Sequence, residues 1–114
     1  MRVFVSTPVR GNVQENLRLA QRITLWLLKY GYSPVCPHCI TLTVGLDDLN
    51  EYDREIGMDY ALELLSVCDR MIVVRKPDGS ISEGCQMELD AAPDIPYYIV
   101  TWEEAEQRFT IGGK

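Results

Sequence analysis

The segment that decides the fold reads Met71-Ile72-Val73-Val74-Arg75-Lys76-Pro77-Asp78-Gly79-Ser80-Ile81-Ser82-Glu83-Gly84-Cys85-Gln86-Met87-Glu88. Its short apolar beginning predicts a buried strand, and the residues from Ser80 onward predict the crossing from that strand into a helix. Proteins of the α/β class place their ligand sites at the ends of such strands. The segment therefore predicts a parallel α/β sheet with a functional site directly after this strand.

The helix of this segment is predicted to begin at Ser82, whose hydroxyl can accept a hydrogen bond from a first-turn N–H group. Gly84 lets a ligand approach the backbone, and the free N–H groups of the first turn favour an anion or a sugar. At about 100° per residue, Glu88 lies at the edge of the face that carries Cys85 and Leu89. Because a buried charge is costly, an inward carboxylate is either a capping or salt-bridging residue or a functional one.

A second candidate site segment follows the apolar run Val3-Phe4-Val5 and reads Ser6-Thr7-Pro8-Val9-Arg10-Gly11-Asn12. Asn12 is predicted to cap the helix that comes next. Arg10, beside Gly11 and ahead of that helix, is placed to bind phosphate, because its guanidinium and the free N–H groups converge on one point. An ordinary surface arginine is the alternative interpretation.

The segment Ser33-Pro34-Val35-Cys36 predicts a second short strand. His38 follows it at the same edge as the first turn and is expected to face the pocket, or else to be a structural residue. The Cys36-x-x-Cys39 spacing allows a metal or thiol interpretation, but a structural zinc site needs four ligands and the other cysteines occur singly. We therefore expect reduced thiols, no metal and no cofactor.

Residues 40–53 show no clear periodicity, which predicts a lid or a subunit contact. Residues 54–67 predict a helix that is apolar over most of its circumference. Such a helix is covered on more than one side, so we expect a homo-oligomer that buries Met58, Leu62 or Leu65.

Three further elements and a free tail are predicted, at residues 70–74, 97–100, 102–109 and 112–114. The alternation of strands and helices predicts a flavodoxin-like doubly wound parallel sheet of four or five strands with helices on both faces. One domain then spans residues 1–114. The turns after its first three strands meet at one edge, where Asp59 is a further candidate pocket residue, with a solvated acidic edge as the alternative.

The 114 residues are 46% hydrophobic and 25% charged, and the formal net charge is −6. This acidic balance argues against nucleic acid and against an anionic membrane surface as partners, because both require a basic face. No segment resembles a signal peptide or a membrane-spanning helix. We expect a cytoplasmic protein that binds small molecules or other proteins.

The chain resembles the nucleoside 2-deoxyribosyltransferase superfamily over about residues 2–100, and it is similar to that superfamily's small phage- and prophage-type members of unassigned function. It is also similar to the 2′-deoxynucleoside 5′-phosphate N-hydrolases. The motifs that carry the resemblance are Val9-Arg10-Gly11, Pro37-His38, Cys68-Asp69 and Ser82-x-Gly84-x-x-x-Glu88. It implies an N-glycosidic bond hydrolase or deoxyribosyltransferase that acts on a nucleoside or nucleotide.

The resemblance also assigns roles to residues. Glu88 would be the nucleophile that attacks the anomeric carbon, and Ser82, six positions earlier, would hold the sugar. Its members complete their pockets with a neighbouring subunit, which implies a homo-oligomer with a shared active site. The candidate substrate-binding residues are Ser6, Thr7, Arg10, Gly11, His38, Asp59, Ser82 and Gly84.

Two positions depart from the pattern of the active members of that superfamily. Phe4 stands where they have a tyrosine that orients the nucleophile, and Ala61 stands where they have an aspartate near the base. Phenylalanine cannot donate a hydrogen bond. A catalytically silent nucleotide-binding module is therefore the second hypothesis, and a metal or thiol protein based on Cys36 and Cys39 is the third.

Overall fold

The structure, a computed structural model, describes residues 1–109. The strands are β1 (Arg2–Ser6), β2 (Ser33–Val35), β3 (Arg70–Val74) and β4 (Tyr97–Val100). The helices are α1 (Val13–Lys29), α2 (Pro37–Val44), α3 (Glu51–Leu65), α4 (Glu83–Ala91) and α5 (Trp102–Arg108). None of these helices has the length and apolar character that crossing a membrane requires. The expected tail at residues 112–114 lies outside the described residues.

The four strands form one sheet in the order β2-β1-β3-β4, and every neighbouring pair is parallel. This arrangement confirms the predicted flavodoxin-like doubly wound fold. The chain adds β2 on one side of β1 and then β3 on the other side, so the strand order reverses between β1 and β3. In open parallel sheets, ligands bind outside the carboxyl ends of the strands at this switch point.

Strand β1 illustrates how the two faces of the sheet are built, because successive side chains of a strand point in opposite directions. Val3 and Val5 face α1 and α5, where they join an apolar core. Phe4 joins a second core with residues of α3 and α4. Ser6 lies on the same face as Phe4, two residues further along, and is fully buried.

Two helix starts confirm the capping predictions. The Asn12 side chain accepts a hydrogen bond from the Glu15 N–H group at 3.2 Å, and α1 begins at the next residue. The Ser82 hydroxyl accepts a hydrogen bond from the Cys85 N–H group at 3.2 Å at the start of α4. Both side chains satisfy first-turn donors that would otherwise lack a partner.

The prediction of an irregular segment over residues 40–53 is wrong. Helix α2 occupies most of its first half, because Pro37 at the first helical position has the fixed φ that starts a helix. The helix ends at Gly45, whose φ of 110° is left-handed. Helix α3 begins three residues before the predicted position 54, because Asn50 accepts a hydrogen bond from Asp53 N–H and caps it.

Of the three residues of α3 expected at a subunit contact, Leu65 is corrected, while Met58 and Leu62 are half-buried and stay predictions. Leu65 is 1% exposed within the chain's own core, and Leu62 packs against that core. Helix α3 contacts both α2 and α4, which explains why it is apolar on more than one side. The exposed apolar side chains of this region are Ile40, Val44, Leu49, Tyr52 and Ile56. A homo-oligomer stays a prediction.

Candidate active site

A cavity of about 610 Å³ opens at the carboxyl edge of the sheet. Its walls are the segments that follow β1, β2 and β3, together with parts of α3 and α4. Ligand pockets for small molecules have volumes of about 300–1,000 Å³. The cavity is therefore large enough for a nucleoside or a nucleotide, and it lies at the switch point of the fold.

The Glu88 carboxylate is the most deeply buried charged group of the cavity wall, with 2% of the residue exposed. Ser6 Oγ donates a hydrogen bond to Glu88 Oε1 at 2.6 Å. Within residues 1–109, this hydroxyl is the one hydrogen-bond partner of the carboxylate, so Oε2 has no partner in the protein. The inward orientation predicted for Glu88 is confirmed.

Burial raises the pKa of Glu88 to about 7, because removing the carboxylate from water disfavours its charged form. The hydrogen bond from Ser6 acts in the opposite direction. The carboxyl group therefore titrates near neutral pH. A carboxyl group with such a shifted pKa in a cleft is a candidate nucleophile or general acid–base.

Ser82 and Gly84 form the wall beside Glu88. Because the Ser82 oxygen accepts from the backbone, its O–H group can still donate to a ligand. A Cβ at Gly84 would contact only the Met58 side chain, at 3.6 Å, so the residue is not required by internal packing. Its missing side chain keeps the start of α4 open toward the cavity.

The loop between β1 and α1 is held in place by Asn16, which is 6% exposed. Its Nδ2 group donates hydrogen bonds to the carbonyl oxygens of Val9 at 2.9 Å and Arg10 at 3.1 Å. Gly11 has a φ of 99°, which non-glycine residues rarely adopt. Sequence reasoning missed Asn16, although a polar residue on the buried face of an amphipathic helix was an available signal.

Arg10 lines the cavity as predicted, but it is not free. Its Nε donates to Oδ2 of Asp48, another residue of the cavity wall, at 3.2 Å. Asp48 belongs to the segment between α2 and α3 and was not predicted as a site residue. A phosphate group that binds Arg10 would compete with this carboxylate.

Two buried polar atoms of the cavity wall lack a hydrogen-bond partner within the described residues: Thr7 Oγ1 and His38 Nδ1. Thr7 is 2% exposed. Burial lowers the pKa of His38 and so favours the neutral imidazole, while the nearby Asp48 carboxylate opposes this shift. Buried polar atoms normally have a partner, and a polar ligand in the cavity would supply one.

A second ion pair crosses the outer part of the cavity, between Arg54 of α3 and Glu83 of α4, with 2.7 Å between Nη2 and Oε1. The hydrogen bond from Arg54 lowers the pKa of Glu83. The charged residues of the cavity wall are the cations Arg10, Arg54 and Lys76 and the acids Glu15, Asp48, Asp53, Asp78, Glu83 and Glu88. An anionic ligand is therefore favoured only where it reaches these cations.

Two of the predicted site residues do not line this cavity. Ser6 lies behind Glu88 and reaches the site only through the carboxylate. Asp59 is exposed and lines a smaller groove of about 260 Å³ between α3 and α4. Ala61 lines the cavity instead. Side chains two positions apart in a helix are rotated by about 200° around its axis, so Asp59 and Ala61 point to opposite sides. The other predicted residues, Thr7, Arg10, Gly11, His38, Ser82 and Gly84, all lie in its wall.

Cys36 and Cys39 lie beside the cavity at the start of α2 and do not form its wall. Within residues 1–109, no three His, Cys, Asp or Glu side chains lie close enough together to hold a metal ion. Both cysteines of the pair are free thiols.

The chain belongs to the family described as Domain of unknown function (DUF7768), whose model matches residues 1–101. The matched part contains all four strands and helices α1 to α4, and hence every residue of the cavity wall. A comparison with curated proteins finds no match. The family description states no activity.

Proposed function

We propose that this protein cleaves the N-glycosidic bond of a (deoxy)nucleoside or nucleoside 5′-monophosphate, as a hydrolase or a deoxyribosyltransferase. The observation that carries the proposal is the buried Glu88 carboxylate, which accepts a hydrogen bond from Ser6 through one oxygen and lines a cavity of nucleotide size. The resemblance to nucleoside 2-deoxyribosyltransferases supports the same assignment.

In the proposed reaction Glu88 Oε2 attacks C1′ of the sugar while the bond from C1′ to the base nitrogen breaks. The base leaves with the electron pair and takes up a proton. Water, or the nitrogen of a second base, then attacks C1′ and releases the Glu88 carboxylate. This is the double displacement of retaining glycosidases, in which the transition state resembles an oxocarbenium ion.

Ser6 supplies the orienting hydroxyl in this proposal. Phe4, at the position of the tyrosine in the related transferases, is fully buried in the core and cannot donate. Ser6 follows on the same face of β1 and donates to Glu88. A hydrogen bond to one oxygen restricts the rotation of the carboxylate and favours its charged form.

The remaining polar groups of the wall suit a sugar and a phosphate. The free hydroxyl protons of Ser82 and Thr7 can reach ligand oxygens, and His38 Nδ1 is a further unpaired atom. A 5′-phosphate would bind the Arg10 guanidinium in place of Asp48. A cytoplasmic location, as expected from the sequence, fits such metabolites.

A second candidate function is nucleotide binding without turnover. It is favoured by Ala61, which lines the cavity where the related enzymes have an acidic residue near the base. Without an acid at that position, the leaving base must take its proton from another group or from water. If neither supplies that proton, the ligand is bound without base release.

The test is incubation of the protein with a panel of deoxynucleosides, ribonucleosides and their 5′-monophosphates, with free base measured by chromatography. We expect base release by the unmodified protein and none by Glu88→Gln, which keeps the size of the side chain. Ligand binding by calorimetry with no base release would favour the second candidate. Equal turnover by a folded Glu88→Gln variant would overturn the assignment of the nucleophile.

A further inference from the structure

The two cysteines of the Cys36-x-x-Cys39 motif are adjacent in space, and their sulfur atoms lie 3.0 Å apart. This is about 1 Å longer than the S–S bond of a disulfide. Cys36 is the residue that precedes the first turn of α2, and the Cys39 N–H group donates to its carbonyl oxygen at 3.1 Å. A small side-chain movement therefore suffices to join the sulfurs.

The two thiols differ in access. Cys36 is 7% exposed and belongs to the apolar core between the sheet and α1, whereas Cys39 is only partly buried. Thr24 Oγ1 of α1 lies 3.7 Å from Cys39 Sγ, so Cys39 also has a hydroxyl neighbour. A disulfide in solution would reach Cys39 first.

The pKa values of the two thiols also favour Cys39 as the more reactive sulfur. Hydrogen bonding to Cys36 lowers the pKa of Cys39 to about 7, because the neighbouring thiol stabilises the thiolate. The same contact, together with burial, raises the pKa of Cys36. Cys39 is thus the sulfur that ionises near neutral pH, and Cys36 remains a thiol.

We propose that Cys36 and Cys39 form a redox-active dithiol that reduces low-molecular-weight disulfides of the glutathione type, with Cys39 as the attacking sulfur and Cys36 as the resolving sulfur. This site is separate from the Glu88 cavity and does not depend on the proposed glycosidase function.

The reaction has two exchange steps. The Cys39 thiolate attacks one sulfur of the disulfide, an S–S bond forms to Cys39, and one thiolate leaves. Cys36 Sγ then attacks Cys39 Sγ, the bond between Cys36 and Cys39 forms, and the second thiolate leaves. The two cysteines lose two electrons and two protons, and the small disulfide becomes two thiols.

The chain contains its own controls. Cys85 is 1% exposed, and burial raises its pKa to about 11. Cys68 is 8% exposed, and burial raises its pKa as well. Neither has the low-pKa, accessible thiol that exchange requires, so both are expected to stay reduced while the pair reacts.

The experiment equilibrates the native full-length protein with mixtures of oxidised and reduced glutathione, quenches with acid, alkylates the free thiols under denaturing conditions and maps the peptides by mass spectrometry. We expect a disulfide between Cys36 and Cys39, seen as the loss of two hydrogens and of two alkyl groups, with Cys68 and Cys85 fully alkylated. Cys68→Ser should form the same disulfide. If Cys36 and Cys39 remain as alkylatable as Cys68 at every mixture, the proposal is overturned.

Two variants test the order of attack. Cys36→Ser should accumulate a glutathione adduct on Cys39, whereas Cys39→Ser should leave Cys36 free. An adduct on Cys36 in the second variant, and none on Cys39 in the first, would overturn the assignment. A measurement on the unmodified protein covers the case in which a variant does not fold: the rate of Cys39 alkylation should be half-maximal near pH 7. A rate that rises only near the usual thiol pKa of about 8.5 would contradict the assignment.

Discussion

The two faces of the sheet bury different kinds of side chain, although the same strands form both. Toward α1 and α5, β1 places Val3 and Val5 in an apolar core. Toward α3 and α4, the same strand places Phe4 in a core and then Ser6 against the Glu88 carboxylate. One face therefore contributes mainly apolar burial, while the other gives up some of that burial for a charged group beside a cavity.

The difference shows how a small domain can carry a buried charge. Burying a carboxylate raises its free energy unless hydrogen bonds compensate, and Glu88 has one such bond from the protein. The apolar face, with Ile23 and Leu27 of α1 fully packed, supplies stability that offsets this cost. We therefore expect substitutions on the two faces to have separable effects on stability and on activity.

The largest expected effect is on turnover. Glu88→Gln should lower the rate of base release about a thousandfold or more, because the amide is a far weaker nucleophile than the carboxylate. Asp90→Asn, at an exposed position of the same helix, is the matched control and should keep the activity of the unmodified protein. Chromatography of free base, with circular dichroism as the check on folding, measures both variants.

The next effect belongs to the opposite face. Ile23→Ala should lower the free energy of unfolding by about 2–5 kcal/mol, because it leaves a cavity at a fully buried position. Leu25→Ala, which is 47% exposed on the same helix, should change it little. Urea denaturation gives the stabilities. Base release by folded Ile23→Ala should be unchanged, and its loss would break the separation between the faces.

The pH dependence of stability tests the charge directly. The folded-state pKa of Glu88, about 7, lies above its usual value of 4.5, so the folded protein holds this proton more tightly than the unfolded chain does. The stabilisation of the folded protein by this proton is fully present below pH 4.5 and is lost as the pH rises through 7. A shift of this size corresponds to roughly 3 kcal/mol.

Glu88→Gln removes the pH dependence of stability that arises from Glu88. His38 and Cys39 are present in both proteins, so their contributions cancel in the difference in unfolding free energy between the variant and the unmodified protein. The variant should gain stability relative to the unmodified protein between pH 4.5 and pH 8. A difference that stays constant over this range would show that the carboxyl group is not buried as described.

Ser6→Ala should lower kcat about 10- to 100-fold, because a hydrogen bond to a charged group contributes about 1.5–3 kcal/mol. The pH at which kcat/KM is half-maximal should also rise, because Ser6 lowers the pKa of Glu88. KM should change little, since Ser6 does not line the cavity. Ser6→Thr restores a hydroxyl and should recover part of the rate and the original pH profile, which a purely structural role would not require.

The smallest effect concerns the outer ion pair. Asp48→Asn frees Arg10 and should strengthen the binding of nucleoside 5′-monophosphates by about 1 kcal/mol at most, because the Arg10 side chain is 51% exposed. Arg10→Ala should weaken the same ligands, and nucleosides without phosphate should respond to neither change. Isothermal titration with matched pairs of nucleoside and monophosphate measures this. Equal changes for both ligands would place Arg10 away from the phosphate.

Much of the fold could be predicted from local patterns. The spans of β3 and β4, the caps Asn12 and Ser82 and the inward side of Glu88 all depend on residues a few positions apart. Helix α2 was missed because its few apolar residues form no clear stripe and its start depends on Pro37. The sequence did not show that Ala61 lines the cavity and that Asp59 lies outside it. That distinction depends on which side of α3 faces the sheet, and this is not a local property.

The sequence by itself determined the class of the fold and the inward side of Glu88, because strand alternation, helix periodicity and capping act over short distances along the chain. Only the tertiary structure decided which groups meet at the cavity. Ser6 and Glu88 are 82 residues apart and come together because the parallel register of β1 and β3 brings their carboxyl ends to one edge. The pairs Arg10–Asp48 and Arg54–Glu83 likewise join separate elements. Such long-range pairs depend on how whole elements pack, and no local pattern encodes that packing.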